Sequence, residues 1–71
     1  MTQKVVLFVP YAVLCALNNW RLGICRQYYM EWAMASGFAE STANKYWSKA
    51  KQLFYEEKKG EKELVIYPTF N

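Results

Sequence analysis

Only three glycines occur in the 71 residues of this chain, and each one closes a segment whose apolar side chains recur at helical spacing. Ahead of Gly23, the residues Tyr11, Leu14 and Leu17, with Val13 alongside, predict a first helix over about residues 10–20. Pro10 suits its first position, where the N–H that proline lacks would be unpaired anyway, and Asn18-Asn19 before Gly23 provides the stop. Ahead of Gly37, the residues Ile24, Tyr28, Trp32 and Ala35 form a stripe at i, i+4, i+8 and i+11, while Arg26, Gln27 and Glu31 occupy other faces. A second helix is therefore predicted over about 24–36. Ahead of Gly60, Ala43, Trp47, Ala50 and Phe54 step by four, three and four, which predicts a third helix over 40–59.

The two ends read as strands. Lys4 to Val9 is rich in β-branched residues and stops at Pro10, and Glu63 to Tyr67 stops at Pro68. Two short strands so far apart in sequence are hardly stable alone, so Val5–Val9 is expected to pair with Leu64–Tyr67, within one chain or across a dimer. The fold class is thus mainly α (α+β): a three-helix core with a small two-stranded sheet from the N- and C-terminal strands, one domain over residues 1–71. A domain this short buries only about 60% of its unfolded surface, so its core needs large side chains. A chain that is 54% hydrophobic and 18% aromatic supplies them and argues against disorder. The aromatic positions Tyr28, Trp32, Tyr46, Trp47 and Phe54 are accordingly read as core.

Several function classes are disfavoured. Val5 to Leu17 carries no charge, but the run is shorter than the roughly 20 residues that span a bilayer, Pro10 splits it, and no small-x-small cleavage pattern follows. It is read as core, with no membrane association and a cytoplasmic location. There is no histidine, and the two cysteines, Cys15 and Cys25, make no Cys-x-x-Cys pair, so neither a metal nor another cofactor is expected. A single disulfide and a pair of reduced, buried thiols are both open to them, and their apolar surroundings favour the thiols. Without a histidine base, paired carboxylates or a phosphate-cradling glycine loop, an enzyme is not expected.

The stretch between the second and third predicted helices, GFAESTANKY from Gly37 to Tyr46, is small and hydroxylic between two aromatic segments. Two helices joined by a tight glycine turn are the layout of a helix-turn-helix, and residues 29–48 resemble that DNA-binding motif. The family has a small residue packed between its helices, glycine four residues on and an aliphatic anchor six further. Ala33, Gly37 and Ala43 stand at those places. The wording Gly-Phe-Ala-Glu-Ser-Thr-Ala-Asn-Lys is similar to the Gly-Val-Ser-x-Ser-Thr-Val-Ser-Arg phrase of bacterial repressors and resolvases. Ala39 departs from the Ser or Thr that usually caps the recognition helix, and Ala43 is smaller than the usual Val or Ile. The segment Lys58-Lys59-Gly60-Glu61-Lys62 makes the chain winged-helix-like at most, since only one strand is visible after it.

The resemblance implies a small sequence-specific double-stranded DNA-binding protein of the bacterial or phage regulator or excisionase type, reading the major groove with helix 40–59 and acting in transcription regulation or as an accessory factor in DNA recombination. Off the apolar stripe, the third helix carries Ser41, Thr42, Asn44, Lys45, Ser48 and Lys49, side chains suited to base edges in the major groove. Arg21, Arg26, Lys51 and Gln52 are expected at phosphates. None of this face is acidic, whereas residues 56–63 mix both signs; a net charge of +3 is compatible with a polyanion. One such helix contacts only about four or five base pairs, so a homodimer or an array on DNA is expected. The alternative is a small helical interaction module or inhibitor that binds a partner protein through an aromatic surface.

Overall fold

A computed structural model describes residues 3–69, in the order β1 (Gln3–Pro10), α1 (Tyr11–Leu22), α2 (Arg26–Ala35), α3 (Glu40–Lys59) and β2 (Lys62–Thr69). The two terminal strands pair in parallel, with Val5 beside Leu64, Leu7 beside Ile66 and Val9 beside Pro68. A parallel pair needs a long crossover, and here the whole three-helix segment supplies it. At the far end of the pair the Thr69 hydroxyl donates to the Val9 carbonyl at 3.1 Å. Among the described residues, β2 is the only strand after α3, and its partner is β1.

Each predicted helix exists, and two of the three differ in their ends. α1 runs through Asn18-Asn19 to Leu22 and stops where Gly23 adopts φ +72°. The asparagines are tolerated there because Asn18 is exposed and costs little of the helix's packing. α2 starts at Arg26, two residues later than the stripe suggested, because Ile24 and Cys25 sit in the bend that follows Gly23. Cys25 takes the N-cap position and is exposed, so the expectation of two buried thiols is corrected; Cys15 is half-buried, and both thiols are free.

The core corrects the facing of α2. Its buried residues are Tyr29, Met30 and Ala33, while Ile24, Tyr28, Trp32 and Ala35, the stripe read as inward, all have exposed side chains. Tyr28 is 66% exposed and so is no core residue. The physical reason is Ala33: where α2 crosses α3, only a side chain that small lets the backbones meet, and its fully buried position turns the face with Tyr29 and Met30 inward. Val9, Val13, Ala16, Leu17, Ala43, Ala50 and Leu53 complete that core, with Tyr46, Trp47 and Phe54 half-buried against it.

Trp20 has a role that the spacing did not assign. Its ring stacks on Trp47 at 4.9 Å and on Phe54 at 5.8 Å, and its indole N–H donates to the Trp47 carbonyl at 3.3 Å. It thereby fastens the last turn of α1 along α3, with an aromatic contact worth about 0.5–1.5 kcal/mol beyond its area. Tyr29 fastens α2 to α1 in a similar way: its buried hydroxyl donates to the Ala12 carbonyl at 2.9 Å. Burial pushes the Tyr29 phenol up to about 12, with Cys15 and Tyr46 nearby adding to the effect.

Candidate nucleic-acid interface on α3

The turn that leads into α3 is built on two backbone bonds. The Gly37 N–H donates to the Met34 carbonyl at 3.1 Å and the Phe38 N–H to the Ala33 carbonyl at 3.0 Å, a pattern that satisfies the last carbonyls of α2. It requires positive φ at Gly37, which adopts +100°. Beyond it Ala39 takes the N-cap position in extended geometry without a side-chain cap, and Glu40 places its carboxylate in the positively polarised first turn. Ala33 and Ala43 are both fully buried where the helices cross.

That crossing leaves the opposite side of α3 in solvent. Ser41, Asn44, Lys45, Ser48, Lys49 and Gln52 line one shallow groove of about 430 Å³ along it. Gln52, expected at a phosphate, thus lies among the residues expected to read bases. At about 100° per residue, Thr42 and Lys51 fall to either side of this strip. Thr42 is half-buried and Lys51 exposed. No acidic residue interrupts α3 between Glu40 and Glu56, after which the Glu56–Lys59 pair, at 3.6 Å, ends the one-signed surface.

The two arginines part company. Arg26, first residue of α2, donates to the Oδ1 of Asn44, so it stands at the edge of the groove and adds a cation to it. Arg21, in the last turn of α1, donates through Nε to Glu57 Oε2 at 3.1 Å and pairs with Glu57 Oε1 as well, and it also reaches Asn18 Oδ1 at 3.3 Å. The Glu57 hydrogen bonds hold the Arg21 guanidinium above its ordinary pKa. Its charge is therefore shared with a carboxylate and lies further along α3 than any residue of the groove. Neither the Arg26–Asn44 nor the Arg21–Glu57 contact has a signal in sequence, since they join residues 18 and 36 positions apart.

A second concave surface lies between α1 and α2. It is a cleft of about 560 Å³ lined by Cys15, Asn19, Ile24, Tyr28, Tyr29 and Trp32, and it exists because the outward stripe of α2 is aromatic. Among the described residues no helix is long and apolar enough to cross a membrane. Compared with protein-family models, curated proteins and solved structures, the chain matches none.

Proposed function

We propose that this chain is a small double-stranded DNA-binding protein, a binder rather than an enzyme, that lays α3 in the major groove. One observation carries the reading: six hydroxyl, amide and ammonium side chains converge on a single acid-free groove of α3, with Arg26 at its edge. Asn and Gln amides match adenine, Lys reaches guanine or phosphate, and Ser bonds either, so the composition suits base edges. Regulation of transcription or an accessory role in recombination are the roles this reading favours, with a location wherever the cell keeps its DNA. Two copies or an array would supply the site length that one helix lacks.

Replacing Lys45 and Lys49 by Glu reverses two charges on an exposed face and touches no buried residue. A mobility-shift titration with mixed-sequence duplex is expected to lose binding while circular dichroism stays unchanged. Binding equal to that of the wild type would sink the assignment.

The exposed ring of Tyr28, with Trp32 and Ile24 around the α1–α2 cleft, favours a second reading, in which that surface binds a partner protein. Salt separates the two. Phosphate binding weakens steeply as salt rises, whereas an apolar contact does not. Elution from heparin at modest salt supports the first reading; partner capture that survives high salt and is lost in Tyr28→Ala/Trp32→Ala supports the second.

A further inference from the structure

The parallel pair of β1 and β2 is apolar on both sides, and among the described residues only one side is covered. Leu7, Leu64 and Ile66 pack on the core, while the register sets Lys4 beside Glu63, Val6 beside Val65 and Phe8 beside Tyr67 on the other face. Phe8 is 71% exposed, Val6 50% and Tyr67 49%, and the two rings stack on each other at 5.6 Å to form one exposed aromatic pair. Parallel strands are found almost only where both faces are covered, and a sheet of two strands is marginal by itself. The uncovered face is therefore the part of the molecule most in need of a partner.

We infer that a second copy of this chain covers it. The order of residues on the face is self-complementary. A two-fold axis running along the strands sets each β1 over the other copy's β2. Lys4 then faces Glu63 of the other copy in both directions, Val6 lies over Val65, and Phe8 lies over Tyr67. Aligned sheets pack about 10 Å apart with their strands within about 30° of each other, a gap that two aromatic layers fill and that a lysine and a glutamate can bridge. Aromatic side chains bury about 150–250 Å² each when fully covered, so Phe8 and Tyr67, at 71% and 49% exposed, give roughly 200–300 Å² a side. That area is well below the roughly 800 Å² per partner of a stable complex, so the dimer is weak and forms only at high concentration, and the charge pairing rather than the area argues for it. The inference supplies a surface for the pairing that the DNA reading calls for, and its test is run without DNA so that the two fail separately.

The experiment is sedimentation equilibrium of the full chain from low micromolar to near millimolar concentration, with circular dichroism as the check on folding. Wild type is expected to shift toward twice the chain mass, and Phe8→Glu, at an exposed position, to stay monomeric with an unchanged spectrum. Lys4→Glu and Glu63→Lys each place like charges across the axis and are expected to weaken self-association at least tenfold. Mixed in equal amounts, they present opposite charges to each other on both sides of the axis and are expected to form a heterodimer. A wild type that is monomeric throughout overturns the proposal, as does a dimer indifferent to Phe8→Glu or a mixture that associates no better than its components.

Discussion

Tyr29 shows how much a single side chain can bind together in a domain of this size. Its ring is 1% exposed, its hydroxyl satisfies the carbonyl of Ala12, and both facts hold α2 against α1. Removing the hydroxyl in Tyr29→Phe takes away one hydrogen bond to a carbonyl that keeps its place in the α1 helix, a loss of about 0.5–1.5 kcal/mol. The pH dependence follows from the raised pKa. The folded protein holds the phenol proton up to about pH 12, whereas the unfolded chain releases it near the ordinary value of about 10. Stability from this group is therefore fully present below about pH 10 and is lost as pH rises toward 12. Urea titrations across that window should show Tyr29→Phe falling less steeply than the wild type; equal slopes would mean that the phenol is not held in its neutral form.

Gly37 is a residue-scale constraint of another kind. Beyond the glycine and its two chain neighbours no atom lies within 4 Å of where a Cβ would stand, so space does not require glycine there. The +100° φ does. Gly37→Ala should cost about 1–2 kcal/mol, the penalty of left-handed backbone for an L residue, and a midpoint unchanged in chemical denaturation would show that the turn relaxes to negative φ.

At the scale of elements, helices and strands were legible because glycines and prolines punctuate the chain and because β-branched residues cluster at its ends. The facing of α2 was not. Tyr28, Tyr29, Met30, Trp32, Ala33, Met34 and Ala35 leave scarcely any polar face, so periodicity yields several equivalent stripes and the most aromatic one drew the inward reading. Packing chose the stripe with the smallest residue at the crossing. α3 escaped this ambiguity because its outward residues are polar, which is why the strip from Ser41 to Gln52 could be read in advance and emerges as one groove. Trp20 was missed for a local reason: it stood at the expected end of α1, where a side chain has no assigned face. The same limit applies to Arg26 and Asn44, whose contact depends on how α2 is rotated against α3. On the proposed DNA reading that contact would compete with recognition, since a bidentate bond to adenine uses the amide oxygen that Arg26 now occupies.

Over the whole molecule the charge is divided rather than uniform. Residues 1–55 hold six basic and two acidic side chains, and residues 56–71 hold three lysines against four glutamates. The surplus thus lies with residues 1–55, the part of the chain that contains the α3 groove. Placement refines this further, because Glu57 draws Arg21 out of the free cations while Arg26 stays beside the groove. On the proposed reading a duplex seated on α3 would be met by Arg26, Lys45 and Lys49, with Lys51 at one flank. Each phosphate neutralised by such a cation adds about −0.9 to the slope of log K against log salt, so four contacts give a slope of roughly −3 to −4 for each protomer engaged. Arg26→Gln should reduce that slope by about one and also free Asn44 for a base edge, so affinity falls at low salt more than at high salt. Arg21→Gln, whose charge is already shared with Glu57, should leave the slope nearly unchanged. Filter-binding titrations across a salt series measure all three slopes. Equal losses from the two arginine variants would place the DNA elsewhere on the surface than the α3 groove.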